Sequence, residues 1–383
     1  MKDFTFYNPT KIVFGKNALD SLEDLLKQSN YKKILITFGK GSLKDSKLYK
    51  NTIEKLKDFT VKEFWGIDPN PRVETIRKAV LIAKEFHPDL ILAIGGGSVI
   101  DGSKLLAASM NSEIDPWEIV LDSSKATVIT PLAVILTVAA TGSEMNNGAV
   151  ITNWSKNEKK PFRHQDTYPK FSILNPENTY SLTKEQTAYG IVDIYSHVCE
   201  QYFHTTIDAP LQDRFSESIL TTLIEYGPKL LNNLNTYEYR EAIMWSGTLA
   251  LNRLIGAGVN QDWATHAIEH EISAFYDIPH GAGLAIITPR WMKEVIEQKK
   301  VKFIQYGKRI WNLSGTDDEI ITAAISKTYD FFKSFGIKMN LTEWGITSKN
   351  FPIMIDRLTK AKIGEFPLEE LQILNILNNC LIN

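Results

Sequence analysis

A chain of 383 residues has room for two or three domains and is too long for a single small module. Hydrophobic residues at 43% and charged residues at 23% match a globular protein with ample core. Lys+Arg 43 against Asp+Glu 45, a net charge of -2, excludes a basic footprint for nucleic acid or an acidic membrane. Two cysteines, Cys199 and Cys380, exclude a disulfide framework and a thiolate zinc site.

In chain order, the opening Met1–Pro9 has no apolar leader core, and no later window reaches the ~20 apolar residues of a membrane span. A cytoplasmic location is the expectation. Lys33–Phe38 reads as a buried strand ending in a glycine turn, followed by an amphipathic stretch at 44–57 and another at 72–86. Asp89–Ile94 is a second strand, running into Gly95-Gly96-Gly97, and Ala133–Val138 a third, running into Gly142-Ser143. Apolar strands alternating with helices predict a mostly parallel sheet covered on both faces. After the extended segment Phe171–Pro176 the texture changes to successive helical patterns at 183–203, 211–232, 237–256, 262–275, 282–297, 300–312 and 318–335. Thr183 and Gln186 form a capping box at the first of these. The expected division is an α/β domain over 1–180 and an all-helical domain over 181–383.

The run Gly95-Gly96-Gly97-Ser98-Val99-Ile100-Asp101-Gly102-Ser103-Lys104 follows a strand and opens a helix. Its glycines allow close backbone approach, and the helix start offers N–H groups to a phosphate. It is not a P-loop, and Ile100 stands where the Rossmann fingerprint has its third glycine. A bare turn explains it less well, since three consecutive glycines carry a large entropic penalty. Gly39-Lys40-Gly41-Ser42 and Thr141-Gly142-Ser143 end the other two strands. Three such turns on one sheet edge suit a long phosphate-bearing ligand. The first, with Lys40 and Lys44 and no carboxylate, favours NADP over NAD as the adenosine-ribose site.

Five of the seven histidines lie between 197 and 280. Asp193 and His197 share a helix face at i and i+4, as do His266 and His270, and His280 follows in a loop. One oxygen and several nitrogens suit Zn(II) or Fe(II). A rival reading takes His266-Ala267-Ile268-Glu269-His270 as the H-x-x-E-H of a zinc metallopeptidase. It leaves the glycine turns, Asp193 and His197 unexplained. His87 and His164 read as exposed bystanders, and His204 as a residue able to turn inward.

Together these motifs resemble the iron-containing (group III) alcohol dehydrogenases, most closely their NADPH-dependent butanol dehydrogenase and broad aldehyde-reductase branch. The resemblance runs from Asn8–Gly15 through Gly95–Lys104, Ala140–Glu144, Asp193…His197 and Asp262…His270 to Pro279-His280-Gly281. It implies a dinucleotide-binding α/β domain, a helical domain, and a metal in the cleft between them. The implied ligands are Asp193, His197, His266 and His280, with His270 beside the nicotinamide and substrate. Gly95, Gly96, Gly97 and Ser98 would lie against the phosphates, with Asp101 nearby. Thr137, Thr141, Ser143 and Asn146 would line the ribose and nicotinamide side. Lys159, or its neighbour Lys160, matches a cofactor position, and Gly39, Gly41 and Ser42 match an NADP-type turn. The implied reaction is hydride transfer between NADP(H) and small aldehydes or primary alcohols, with the metal as Lewis acid. A homodimer is also implied. An NAD-dependent polyol dehydrogenase, or a cyclising lyase of the same superfamily, is the remaining alternative.

Overall fold

The computed structural model describes residues 1–41, 43–206 and 208–381. Its strands are β1 (Lys11–Phe14), β2 (Lys33–Phe38), β3 (Thr60–Trp65), β4 (Leu90–Gly95), β5 (Leu132–Leu136), β6 (Gly148–Asn153), β7 (Glu158–Arg163) and β8 (Phe171–Leu174). Six of them form one sheet in the order β1-β8-β5-β4-β2-β3, every neighbouring pair parallel. The other two, β6 and β7, pair antiparallel.

The central strands β4 and β5 are buried at every residue, which is why they read as unbroken apolar runs. Alternate side chains of β4 serve opposite faces. Ile91 and Ala93 join the cluster of Val73, Ile76, Ile100, Leu105 and Trp117; Leu90, Leu92 and Ile94 join that of Leu22, Leu25 and Leu26. Helices α1 (Leu22–Gln28), α2 (Lys47–Lys55), α3 (Val73–Phe86), α4 (Gly97–Ser109) and α5 (Pro116–Leu121) belong to this part of the chain. The edge strands β1 and β3 are half-exposed and keep polar residues, and β7 carries Glu158, Lys159, Lys160 and Arg163 around Pro161. β3 and β7 make no apolar run and that of β1, Ile12-Val13-Phe14, is only three residues long, so sequence periodicity does not reveal them.

Sheet order also fixes where a ligand can approach. Chain progress runs outward from β2 to β3, then from β4 through β5 to β8 in the other direction. The reversal lies between β2 and β4, where an open α/β sheet leaves a crevice at the strands' carboxyl ends. Phe38 is paired with Ile94 and Gly95 with Leu136, so the turns after β2, β4 and β5 stand side by side on that edge.

The remaining helices are α6 (Lys184–Tyr202), α7 (Pro210–Asn232), α8 (Tyr237–Ala250), α9 (Ala264–Tyr276), α10 (His280–Glu294), α11 (Ile296–Arg309), α12 (Asp317–Ser334), α13 (Phe351–Ala361) and α14 (Glu370–Asn379). The Thr183–Gln186 capping box is formed at α6, with both reciprocal hydrogen bonds at 3.0–3.1 Å. α8 ends at Ala250, six residues short of the periodic pattern. The chain separates into two compact units that are not continuous in sequence. The sheet unit is Tyr7–Leu182 with Asn235–Thr248; the helical unit is Met1–Phe6, Thr183–Leu234 and the chain from Leu249 onward. Most of α8 therefore belongs with the sheet: Met244 enters its core, Trp245 meets Phe14 edge-on at 5.7 Å, and Thr248 Oγ1 donates to Glu144 Oε1 at 2.5 Å. Among the described residues no helix is long and apolar enough to cross a membrane.

Candidate active site

Within the helical unit, α6 is buried almost continuously from Thr187 to Tyr202 and packs against α7 and α10. One turn separates Asp193 from His197 on it, and their side chains meet with His197 Nδ1 3.4 Å from Asp193 Oδ1. His266, in the first turn of α9, brings Nε2 to 3.6 Å of the same oxygen, and His280, the first residue of α10, brings Nε2 to 3.5 Å. The imidazole of His266 stacks on that of His197 at 4.5 Å. Main-chain packing holds this convergence. A Cβ on Gly281 would stand 2.7 Å from the Tyr189 Cα, so α10 starts directly on the backbone of α6. Trp263, which precedes α9, takes φ 64, a strained value for so bulky a residue, and its ring lies 5.5 Å from that of His266.

The converging atoms are unsatisfied. Asp193 Oδ1, His197 Nδ1 and His266 Nε2 are buried without a hydrogen-bond partner, an expensive arrangement unless something binds there. Ligand atoms of Asp193, His266 and His280 lie within 4.8 Å of one another. Burial opposes ionisation of Asp193, yet His197, His280 and His266 hold its carboxyl far below the usual range. Burial pushes His197 down to about 4, against the pull of Asp193. Burial also opposes charge on His266, but Glu200 and Asp193 raise it to about 10. An ionised carboxylate among imidazoles is a fitting donor set for a borderline divalent cation.

Two further carboxylates complete the arrangement: Glu200, which the sequence did not single out, and Glu269, which it offered only as the glutamate of the H-x-x-E-H reading. Glu200 accepts from His266 Nδ1 and from Thr265 Oγ1, and also from the backbone N–H groups of Thr265 (2.7 Å) and His266 (3.1 Å). Glu269 accepts from His280 Nδ1 and from Ser273 Oγ. The latter bears on the H-x-x-E-H reading, because its glutamate faces His280 rather than serving His266 and His270 as a pair. Glu269, His270 and His280 also come within 4.8 Å of one another, with His280 shared between the two sets. His270 is half-buried, its ring 5.6 Å from that of His280.

In the sheet unit, the glycines after β4 have packing reasons of their own. A Cβ at Gly95 would lie 2.5 Å from Val99 and one at Gly96 2.7 Å from Val138, while one at Gly97 would overlap Thr141. Ser98 follows in the first turn of α4, at the sheet's carboxyl edge. Asp101 and its neighbours fasten the next loop. Asp101 Oδ1 accepts from Ser143 Oγ (2.6 Å) and Oδ2 from Val150 N (2.8 Å), and burial pushes its carboxyl up. The buried Lys104 ammonium donates to Ser143 O, Ser143 Oγ, Asn146 Oδ1 and Gly148 O at 2.6–3.1 Å. Thr137 N donates to Gly95 O, and Thr141 Oγ1 accepts from Ser143 N. Lys159 is buried, donates to Asn70 Oδ1 at 2.9 Å and attracts Asp101 electrostatically; Lys160, next on β7, is half-buried.

Gly41 takes φ +111, a conformation open to glycine, while Ser42 lies outside the described residues. The two lysines of this turn have partners. Lys40 Nζ pairs with Asp68 Oδ1 at 2.8 Å, and Lys44 Nζ lies 5.1 Å from the Trp65 ring centroid. Asp68, from the segment after β3, also accepts from Thr75 Oγ1 at 2.7 Å. Burial works against its ionisation, but Lys40 and Thr75 hold its carboxyl below the usual range.

Comparison with known proteins places this geometry. The model of the iron-containing alcohol dehydrogenases matches residues 9–176, and that of the family's C-terminal region matches residues 187–380. The probable NADH-dependent butanol dehydrogenase 1 of Bacillus subtilis is 43% identical, over 98% of this chain and 99% of its own. The NADPH-dependent aldehyde reductase YqhD of Escherichia coli is 42% identical, over 95% of this chain and 96% of its own. Among solved structures, NADH-dependent butanol dehydrogenase A of Thermotoga maritima superposes with a TM-score of 0.96 at 33% identity, covering 100% of this chain and 99% of the other.

Proposed function

The chain belongs to the iron-containing alcohol dehydrogenase family, and from that membership we propose that it interconverts short- and medium-chain aldehydes and primary alcohols with NADP(H), using one Fe(II) or Zn(II). Asp193, His197, His266 and His280 are the proposed ligands. The observation that carries this reading is the meeting of three unsatisfied buried atoms, Asp193 Oδ1, His197 Nδ1 and His266 Nε2, beside His280. When bound, the cation polarises a carbonyl and the nicotinamide ring supplies or accepts the hydride. The protein's own residues do the rest. Asp193 stays ionised and contributes the one negative charge among the ligands. Burial around α6 keeps water from the donors, which strengthens every electrostatic interaction there. His270, beside His280, is the side chain proposed to return a proton to the alcohol oxygen.

In the sheet unit, Gly95–Ser98 and the start of α4 receive the phosphates, with Thr137, Thr141, Ser143 and Asn146 shaping the next loop and Lys159 adding positive charge. Asp101 acts from beneath, by holding Ser143 and Val150. The NADP(H) preference draws on the Gly39–Ser42 turn with Lys40, and on the NADPH-dependent relative at 42% identity. A second reading, NADH preference, draws on Asp68, which stands 2.8 Å from the Lys40 ammonium, and on the NADH-dependent relative at 43%.

The deciding experiment compares kcat/KM for NADPH and NADH with butanal, on protein stripped by a chelator and reloaded with Fe(II) or Zn(II). NADPH is expected to be the better donor, activity is expected to vanish on stripping and return on reloading, and the Asp193→Ala/His280→Ala double variant is expected to be inactive. Turnover unchanged in that variant would refute the ligand assignment, and a higher kcat/KM for NADH would favour the second reading. A cytoplasmic homodimer acting on small molecules is part of the same proposal; light scattering of the purified protein measures the oligomer.

A further inference from the structure

The sequence carries the spacing His-x-x-Glu twice, at His197–Glu200 and His266–Glu269. On a helix this sets the glutamate one turn beyond its histidine, yet in neither case does the carboxylate bond to that histidine's ring. Glu200 on α6 reaches His266 on α9, and Glu269 on α9 reaches His280 on α10. Each helix thus supplies one ring for the donor cluster and one carboxylate for the ring on the next helix. Both carboxylates are completely buried. Both bind Nδ1, the nitrogen opposite the one aimed at Asp193.

We propose that Glu200 and Glu269 are positioning residues that fix His266 and His280 as Nδ1–H tautomers, aim both Nε2 atoms at Asp193, and strengthen them as donors, so that metal retention depends on them. The inference rests on the ligand assignment proposed above. An imidazole that donates its Nδ1 proton to a carboxylate is locked in rotation and is more basic at Nε2. The fold makes room for this. A Cβ on Gly283 would lie 2.8 Å from Glu269 Cγ, so the glycine one turn into α10 is what allows the Glu269 stem to pass. Ser273, one turn beyond Glu269 on α9, occupies its second oxygen.

Glu200 has a second duty, since it receives the first-turn N–H groups of Thr265 and His266 and so caps α9. Glu269, in the second turn of α9 with Ser273 Oγ and His280 Nδ1 donating to it, is the position to test. Glu269→Gln keeps an acceptor at His280 Nδ1 and removes the charge. The probe is Co(II), titrated into metal-free protein against a chelator, with its visible ligand-field absorption followed alongside.

The expected result is a Co(II) dissociation constant raised roughly ten- to hundredfold and a shifted absorption band, with the metal-free melting temperature unchanged. Ser273→Ala, a milder change that leaves the charge in place, is expected to weaken binding about two- to tenfold and serves if Glu269→Gln does not fold. Glu185→Gln, at an exposed position in the first turn of α6, is expected to bind like the parent. Variants at 269 and 273 that bind Co(II) within a factor of two of the parent would overturn the inference alone. So would a loss of affinity accounted for by an equal loss of metal-free stability. A parent that takes up no Co(II) would overturn the metal site itself, and this inference with it.

Discussion

Single residues decide how close the proposed phosphate-binding turn can come to a ligand. A Cβ at Gly97 would overlap the Thr141 side chain, so Gly97→Ala must push that side chain out or lift the start of α4. Overpacking of this kind destabilises by about 1–3 kcal/mol. The expected outcome is a lower melting temperature together with weaker NADPH binding, read by nucleotide fluorescence titration. Normal affinity in a stable Gly97→Ala protein would show the turn to be tolerant. The glycines were readable in the sequence because three in a row are rare, but their neighbours Val99, Val138 and Thr141 were readable only once the strands were placed. The same holds at the donor cluster. Asp193 and His197 announce themselves at i and i+4, whereas Glu200 and Glu269 act on histidines 66 and 11 residues away, a relation no local spacing displays. Asp68 escaped notice for the same reason, lying on a different segment from the Lys40 it faces.

At the scale of elements, α7, α11 and the segment just past α6 are tied by a buried polar knot. His204 Nε2 lies 2.9 Å from Asp213 Oδ1, Lys302 Nζ donates to the same oxygen at 2.5 Å, and Gln305 Nε2 donates to Oδ2 at 2.9 Å. Burial opposes the charge on Asp213, but these partners prevail and hold its carboxyl well below the usual range. A carboxyl with a lowered folded-state pKa adds stability that is fully present above its unfolded value, ~3.9, and fades as pH falls through the folded value. Removing the charge from a buried pair destabilises by about 3 kcal/mol. Asp213→Asn is therefore expected to be markedly less stable to urea than the parent at pH 6, with the gap closing as pH falls below 4. A gap of constant size across that range would contradict the ion-pair account. The sequence indicated α6, α7 and α11 through their apolar periodicity. It could not show that Lys302 and Gln305 point inward, because long polar residues ordinarily mark a solvated face.

Across the whole molecule, the proposed duties divide between the two units. Every candidate metal ligand and both outer carboxylates belong to the helical unit, and the three turns proposed to meet the nucleotide belong to the sheet unit. A ligand stabilises what it binds by RT ln(1 + [L]/Kd), about 2.7 kcal/mol at a hundredfold excess over Kd. Hydrogen exchange is expected to register this locally. Zn(II) added to metal-free protein should slow amides of α6, α9 and α10, and NADPH should slow those of 95–104 and 137–148. Protection of the turns by Zn(II) without protection of α9 would contradict the assignment. The alternation of apolar strands and helices, followed by helices alone, made both architectures readable. The return of α8 to the sheet was not, because Met244, Trp245 and Thr248 sit in an ordinary amphipathic pattern whose partner is set by topology.

The seating of Gly281 on Tyr189 has a consequence for ionic radius. Asp193 lies one helical turn past Tyr189 and His280 immediately before Gly281, so the span between these two donors is set by main chain against main chain. Separating the helices would break their packing, and turning the His280 ring away would break its hydrogen bond to Glu269. A cation held there, as proposed, is expected to be one that accepts short bonds to nitrogen, at about 2.0–2.1 Å. Calcium, which seeks six to eight oxygens at about 2.3–2.6 Å, meets too few oxygens and a frame that does not stretch.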